Sequence, residues 1–208
     1  MKVRLLILLV LFGFSGVVAC KTRTTKSKAT FESTSVNDWV YILKDKSLPA
    51  TALFEMKDGI LSVSGLTSGY LRTKKAHKRF RLSVDWRWTK APGNSGVLVH
   101  IQPGDTIWPV CYQVQQKVDA AGDIICMNGL WANECKDTLK STVPKMKPSN
   151  EKPLGEWNTM RVESDNGILI VYINGELQNK VTGLTVQKGY IGFQGEGKPL
   201  EFRNLIIK

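Results

Sequence analysis

The chain has 208 residues, 42% of them hydrophobic, and a formal net charge of +11. This length and composition fit one globular domain with a sizeable core. The positive charge is scattered rather than clustered, so we expect no nucleic-acid partner. Attraction to acidic lipid or acidic glycans, or a merely solvated surface, are the remaining interpretations of that charge.

The first residues have the pattern of a secretory signal. Lys2 and Arg4 precede an apolar run over residues 5–14, which is too short to span a bilayer core of ~30 Å. Small residues then lead to Cys20, as in a bacterial lipobox. The pattern predicts cleavage of residues 1–19 and lipidation of Cys20. The alternative is an ordinary signal peptide followed by a chance cysteine.

Residues 20–35 are predicted to form a flexible tether. Residues 21–28 are basic and polar, a composition that cannot pack. Cleavage would remove Lys2 and Arg4 and lower the formal charge from +11 to 11 − 2 = +9. We therefore expect an exported lipoprotein of the bacterial outer membrane or the periplasm, with the membrane as a partner through its lipid anchor.

Strand signals dominate from residue 36 onward. Asp-Gly and Asn-Gly pairs mark tight hairpin turns at Asp58, Asn166 and Asn174. Residues 80–89 alternate apolar and polar side chains along one long strand. About ten to twelve strands with hairpin spacing and almost no helix predict an all-β fold of two antiparallel sheets.

Residues 119–155 are expected to be irregular because glycine and proline interrupt them. Loops of this length in a compact domain usually carry function or wrap a sheet edge. Cys126 and Cys135 flank part of this segment and are the plausible disulfide pair in an oxidising compartment, which leaves Cys111 free on a strand. No cysteine or histidine spacing points to zinc.

Residues 93–100 place a turn before a strand whose alternate side chains face two ways. His100 shares its predicted face with Leu98, on the polar side of the sheet, and can exchange a proton near neutral pH. The following strand carries Gln113 and Gln115 on one face. Together the two strands predict a sheet with one packed face and one face of hydrogen-bonding groups, which is typical of a binding surface.

Six short motifs follow one another along the predicted domain. They are GNSGV at 93–97, YQVQ at 112–115, GEWN at 155–158, INGE at 173–176, GYIGFQ at 189–194 and EFRNL at 201–205. In this order they resemble the 3-keto-disaccharide hydrolase domain family. The resemblance covers about residues 36–208 and implies a single concanavalin A-like jelly-roll domain. Each motif alone is weak, whereas six in order are specific.

The resemblance implies cleavage of sugars that are oxidised at C3. A ketone at C3 acidifies the hydrogen on C2, so that a base removes it, the C1 substituent leaves and water adds. Such an enzyme supplies a base, stabilisation of the enolate oxygen and an acid for the leaving oxygen. Relatives usually carry arginine, less often histidine, where His100 stands and glutamate where Gln113 stands, and an amide cannot take up a proton.

The candidate catalytic residues are His100, Asp123 and Arg87. Asp123 matches an Ala-Gly-Asp element of close relatives and could act as a base; a turn-capping aspartate is its alternative. Arg87 lies on the polar side of its strand and could hold an enolate oxygen; a structural ion pair is its alternative. For His100 the alternative is a solvated or core histidine.

Six further residues are candidates for substrate binding, because amides and carboxylates suit sugar hydroxyls and a flat ring can stack on a pyranose. For each of them the alternative is a merely solvated or structural role. They are Asn94, Gln113, Gln115, Trp108, Gln194 and Glu196.

The leading hypothesis is a hydrolase or lyase that cleaves 3-keto-glycosides by elimination and hydration. The alternative is a non-catalytic carbohydrate-binding lipoprotein that has lost the family's acidic residue at Gln113. A structural envelope lipoprotein that binds another protein is a third reading. The expected partner is a carbohydrate, an oxidised disaccharide or glycoside. No cofactor is predicted. Binding of a divalent metal such as calcium is left as a possibility, although no ligand spacing in the sequence supports it.

The lipidation hypothesis predicts that Cys20→Ser abolishes lipid labelling, because the lipid is attached to the cysteine sulfur. Metabolic labelling with radioactive palmitate followed by membrane fractionation measures this. Cys111→Ser is the matched control and should keep the label. A Cys20→Ser protein that is still labelled would contradict the assignment.

Overall fold

The computed structural model describes residues 38–136 and 141–208, so the predicted signal peptide (1–19), Cys20 and the tether (20–35) lie outside the described residues. Within them the chain forms fourteen strands and one turn of 3-10 helix at Ala50–Ala52. No helix in this part of the chain is long and apolar enough to cross a membrane. The strands are β1 (Trp39–Leu43), β2 (Phe54–Lys57), β3 (Ile60–Val63), β4 (Gly69–Thr73), β5 (Phe80–Trp88), β6 (Gly96–Ile101), β7 (Tyr112–Gln115), β8 (Ile124–Cys126), β9 (Thr142–Val143), β10 (Asn158–Asp165), β11 (Ile168–Ile173), β12 (Glu176–Val181), β13 (Tyr190–Gly195) and β14 (Leu200–Ile207).

The strands form two antiparallel sheets of seven strands each. The front sheet has the order β1-β4-β13-β6-β7-β8-β9, and the back sheet has the order β12-β11-β10-β5-β14-β3-β2. Neighbours in these orders are often far apart in sequence, as in β5 and β14, which is the pattern of a jelly roll rather than of a simple meander. The predicted all-β sandwich is confirmed.

The core lies between the two sheets. The five apolar side chains of β5, from Phe80 to Trp88, are buried, whereas the four side chains between them are not. Val97 and Val114 of the front sheet belong to the same apolar cluster. The alternation predicted over residues 80–89 is thus the packing pattern of the sandwich, and each large buried side chain contributes about 1.5–3 kcal/mol.

Tight turns set the register of three hairpins. Asp58, Asn166 and Asn174 have φ angles of 50°, 47° and 50°, and the glycine after each one also has a positive φ. Two consecutive positive φ angles are those of a type I′ turn, whose twist matches that of the flanking strands. The three predicted hairpin turns are confirmed.

The segment at 119–155 departs from the expectation of irregular structure, because β8 and β9 extend the edge of the front sheet. Strands of three and two residues are too short to show a period in sequence. At one end of β8, the Sγ atoms of Cys126 and Cys135 lie 3.3 Å apart as free thiols. The disulfide between them stays a prediction.

A β-bulge at His100 interrupts β6. His100 has a φ of 53°, in the left-handed region. Leu98 pairs with Gly192 and Ile101 pairs with Tyr190, so two residues of β6 stand opposite a single residue of β13. Such a bulge inserts one residue and reverses the faces of the side chains beyond it.

The bulge directs the His100 side chain into the core. The residue is fully buried, its Nε2 lies 2.8 Å from the Oγ of Ser164 on the back sheet, and its ring lies 5.5 Å from that of Phe80 and 6.3 Å from that of Tyr112. The prediction that His100 lies on the polar side of its sheet is therefore wrong, because strict alternation ends at the bulge.

Burial lowers the pKa of His100 to about 4. The unfolded chain, with an ordinary histidine pKa of ~6.5, then binds more protons between these pH values than the folded protein does. The contribution of His100 to the free energy of unfolding should therefore be fully present above pH ~6.5. It should fall by roughly 3 kcal/mol as the pH drops towards 4.

Urea unfolding of the wild type and of His100→Gln between pH 4 and 7.5 isolates this contribution, because other groups titrate alike in both proteins. The pH dependence of the variant should be flatter over this range. His77→Gln should flatten it less, since His77 is only half-buried. Equal slopes for the wild type and His100→Gln would contradict the analysis.

Candidate functional site

The outer face of the front sheet carries a group of amides, and we call this surface the front face. Tyr112 and Val114 of β7 lie in the core, so Gln113 and Gln115 point to the opposite side. Nε2 of Gln113 donates a hydrogen bond of 2.8 Å to Oε1 of Gln115. Gly96 is the cross-strand partner of Gln115, and a Cβ there would lie only 2.6 Å from Cγ of Gln113. Glycine at position 96 therefore lets the Gln113 amide lie across β6.

Glu196 is held on the front face by two amides. Its Oε2 accepts hydrogen bonds from Nδ2 of Asn94 at 2.8 Å and from Nε2 of Gln194 at 3.3 Å. Asn94 and Glu196 also form an isolated β-bridge that joins the segments flanking β6 and β13. Burial raises the pKa of Glu196, and the hydrogen bond from Asn94 opposes that rise.

Two acceptors in this cluster are buried without a hydrogen bond. They are Oδ1 of Asn94 and Oε1 of Gln194. An ionised carboxylate can only accept hydrogen bonds, so both amide nitrogens turn towards Glu196 and both oxygens are left over. A buried acceptor without a donor is unfavourable by about 1–3 kcal/mol, and a hydroxyl from a bound molecule or water would satisfy it.

Asp123 lies at the other side of the front face. Its carbonyl accepts a hydrogen bond of 2.9 Å from the backbone N–H of Gln115. Its carboxylate accepts a hydrogen bond of 2.8 Å from the backbone N–H of Lys145, which is the capping arrangement weighed as the alternative to a catalytic role. Three strand spacings separate β8 from β13, so the backbones of Asp123 and Gln194 lie roughly 14 Å apart.

A loop over residues 102–110 bounds the front face at the His100 end of β6. The backbone N–H of Gln102 donates to the carbonyl of Val110 at 2.9 Å and closes the base of the loop. Trp108 lies in this loop with 42% of its surface exposed. Its carbonyl accepts a hydrogen bond of 2.7 Å from Nδ2 of Asn128. The Trp108 ring is thus exposed on a loop whose backbone is anchored.

Arg87 does not belong to this face. It alternates with the buried Trp86 and Trp88 on β5 and therefore points outward from the back sheet. Its Nη2 lies 2.7 Å from Oε2 of Glu201, and its guanidinium lies 4.4 Å from the centre of the Trp157 ring. The prediction that Arg87 contacts the substrate together with Gln113 is wrong, because the polar side of β5 is the outer face of the other sheet.

The structure therefore groups Asn94, Gln194 and Glu196 in one cluster and joins Gln113 to Gln115. Asp123 is the cross-strand neighbour of Gln115, whereas His100 is in the core and Arg87 on the opposite sheet. Trp108 lies on the bordering loop. Among residues 38–136 and 141–208, no three His, Cys, Asp or Glu side chains are grouped as a metal site would require.

Sequence reasoning missed two residues next to the site, Tyr70 and Arg72 of β4. Both flank the buried Leu71 and reach the loop at 102–110: Oη of Tyr70 donates to the carbonyl of Thr106 at 3.1 Å, and Arg72 pairs with Asp105. The only signal in the sequence was that Tyr70 and Arg72 lie on the opposite side of the strand from Leu71. A strand of five residues that begins with glycine gives a weak pattern.

Comparison with solved structures finds several proteins that share this fold. Two proteins of Parabacteroides distasonis ATCC 8503, each named "putative glycosyl hydrolase", match with TM-scores of 0.64 and 0.59 at 21% and 18% identity. The matches cover 86% and 82% of this chain and 91% and 98% of those chains. The carbohydrate-binding module CBM66 of Bacillus subtilis matches with a TM-score of 0.59 at 9% identity, over 82% of this chain and 95% of that one. Identities this low establish the fold alone.

No curated protein matches the chain. The family model described as a 3-keto-alpha-glucoside-1,2-lyase-like domain matches residues 26–208. The matched range starts ahead of the domain boundary expected at residue 36 and includes every strand described above. The chain therefore belongs to the 3-keto-alpha-glucoside-1,2-lyase-like domain family.

Proposed function

We propose that this protein binds a carbohydrate on the front face and cleaves 3-keto-glycosides by elimination followed by hydration. The observation that carries the proposal is the cluster in which Glu196 lies between Asn94 and Gln194, with an unsatisfied amide oxygen on each. Sugar hydroxyls are donors of the right kind for these oxygens, and they can also accept from neighbouring amides. Family membership supports the same substrate class.

Glu196 is the residue best suited to exchange the proton at C2. Its partial burial raises its pKa above that of an ordinary glutamate, and a higher pKa makes a carboxylate a stronger base. Asn94 and Gln194 fix one of its oxygens by hydrogen bonds. The other oxygen can then be directed at the substrate.

The proposed reaction keeps its protons in balance. The Glu196 carboxylate takes the hydrogen from C2 of the 3-keto sugar, the C1–O bond breaks, and the leaving oxygen takes up that proton. Water then adds across the C1–C2 double bond, with its hydroxyl at C1 and its hydrogen at C2. Side-chain amides such as that of Gln115 supply N–H donors for the enolate oxygen that forms in the first step.

The position of Asp123 favours this elimination over ordinary glycoside hydrolysis. Enzymes that use two carboxylates hold them about 5–9.5 Å apart across the scissile bond. The Asp123 backbone lies roughly 14 Å from β13, across three strand spacings. Its carboxylate is held by the backbone N–H of Lys145, which follows the edge strand β9, so it is not directed towards Glu196. A single base with amide donors around it fits a substrate that is already activated by its ketone.

An assay of the purified domain tests the proposal. A 3-keto-glucoside with a chromogenic aglycone is incubated with the protein, with and without a chelator, and aglycone release is followed. Release above the rate without protein supports the proposal, and the chelator arm reports whether a metal takes part. Binding without any release would favour the second function described below.

Glu196→Gln is expected to lower turnover by about 10²-fold or more, because an amide cannot remove the C2 proton. The variant preserves the shape of the side chain, so thermal unfolding should change little. Activity of the wild type should rise with pH as Glu196 ionises, and this ascending limb should disappear in the variant.

Glu55→Gln is the matched control, since Glu55 is exposed on β2 of the back sheet. It should retain the activity of the wild type. A Glu196→Gln protein that is as active as Glu55→Gln would remove Glu196 from the mechanism.

Carbohydrate binding without catalysis is the second candidate function, and Gln113 is the observation that favours it. The amide at this position pairs with Gln115 and cannot ionise, although the resemblance to the family implies an acidic residue here. The same sandwich serves as a binding module in CBM66. Loss of one carboxylate could therefore leave a working sugar-binding surface.

Comparing the wild type with Gln113→Glu separates the two functions. If Glu196 is the base, wild-type protein already releases aglycone, and the variant should stay within about tenfold of it, because it changes hydrogen bonding rather than the base. Release by the variant alone, or by neither protein while both bind the glycan, would establish the binding function. Gln187→Glu, at an exposed position beside the β10–β11 turn of the back sheet, controls for the added charge.

A further inference from the structure

We infer that Arg72 is a positioning residue for the substrate: through Asp105 it fixes the loop at 102–110 and with it Trp108 beside the front face. The inference rests on the proposed function, since it assumes that the front face holds a sugar. It assigns a role to a residue of β4 that touches none of the amides described above. Its evidence is the set of contacts between β4 and the loop.

The pairing of Arg72 with Asp105 is a two-point contact. Nε of Arg72 donates to Oδ1 of Asp105 at 2.8 Å, and Nη2 donates to Oδ2 at 3.1 Å. The guanidinium lies 4.0 Å from the centre of the Tyr190 ring, and Nη1 donates to the carbonyl of Thr73 at 3.2 Å. Arg72 is almost fully buried, so this ion pair is screened less than the exposed pairs of the back sheet.

The loop backbone has positive φ angles at Gly104 and Asp105. Asp105 has a φ of 46°, and Gly104 before it has a φ of 128°. A left-handed conformation at a residue other than glycine is uncommon and persists where the surroundings fix it. The fork of Arg72 supplies that constraint.

The loop reaches β4 by passing over β13. Gly192 of β13 pairs with Leu98 on one side and Arg72 on the other. A Cβ on Gly192 would lie 2.8 Å from Cδ1 of Ile101, so glycine leaves room for Ile101 to lie over the strand. Beneath the loop, Leu98 and Ile101 belong to a second apolar cluster that is separate from the main core.

Hydrogen bonds of Thr106 connect Asp105 to Trp108, three residues further along the loop. The Thr106 carbonyl accepts a hydrogen bond from the Tyr70 hydroxyl. The Thr106 hydroxyl donates a hydrogen bond of 3.1 Å to the carbonyl of Trp108. The Trp108 indole is exposed and available to stack on a sugar ring. Loss of the Arg72–Asp105 pair should therefore make the loop at 102–110 more mobile, so that Trp108 orients the sugar less well, while the base Glu196 is unaffected.

Asp105→Asn tests the inference, because it keeps the side-chain shape and removes the charge of a half-exposed residue. We expect KM for the 3-keto-glucoside to rise about tenfold with kcat within about twofold of wild type. Hydrogen–deuterium exchange of residues 102–110 should accelerate, and the folded core should keep its protection. Asp105→Glu should restore most of the KM, since it can again pair with Arg72.

Arg81→Gln is the control, because it removes an exposed ion pair with Glu163 on the back sheet and should leave both kinetic constants unchanged. A wild-type KM and wild-type exchange in Asp105→Asn would overturn the inference. Wild-type protein that neither binds nor cleaves the sugar would overturn the proposed function, and the role of Arg72 towards a substrate with it. The wild-type arm thus separates the two failures.

Discussion

The contact of Glu196 with Asn94 and Gln194 links the fold of the front sheet to the chemistry proposed for its outer face. The two amides come from segments next to β6 and β13, which are neighbours in the sheet, so the carboxylate is held only when these strands are in register. The same contact turns both amide oxygens away from any protein donor. It also keeps the carboxylate in partly buried surroundings, where its pKa is raised. One contact therefore depends on the register of β6 and β13, leaves the two amide oxygens without a donor and keeps Glu196 in surroundings that raise its pKa.

The bulge in β6 determines which titratable groups this face contains. Without it, the alternation that directs Gly96 and Leu98 to the outer side of the sheet would continue to His100. The extra residue instead buries the imidazole beside Ser164, where desolvation favours its neutral form. Glu196 rather than His100 is therefore the base in the proposed reaction. The bulge also turns Ile101 to the outer side, where it supports the loop that carries Trp108.

Local periodicity in the sequence was enough to predict the long strand β5, the three Asn-Gly and Asp-Gly hairpins and the shared face of Gln113 and Gln115. Each of these depends on neighbours within a few residues. The site required non-local information. Arg87 is on the polar side of its strand, as predicted, but a sandwich has two outer faces and sequence alone does not tell which sheet a strand joins. A bulge leaves no period to detect, so His100 was assigned to the wrong side. The strands β8 and β9 are too short to carry a pattern, although they place Asp123 next to Gln115.

An amide at Gln113, where the family resemblance implies an acidic residue, is compatible with the proposed catalysis if the substrate supplies part of the activation. In an unoxidised glycoside, departure of the C1 substituent requires an acid and a nucleophile or base on opposite sides of the bond. In a 3-keto sugar the ketone stabilises the charge left at C2, so one base and a set of hydrogen-bond donors can suffice. The front face offers such a set: Glu196 lies beside the amides of Asn94 and Gln194, whereas the second carboxylate, Asp123, is held by the Lys145 backbone. If the substrate is a 3-keto sugar, as proposed, its ketone therefore compensates for the lack of an acidic side chain at position 113.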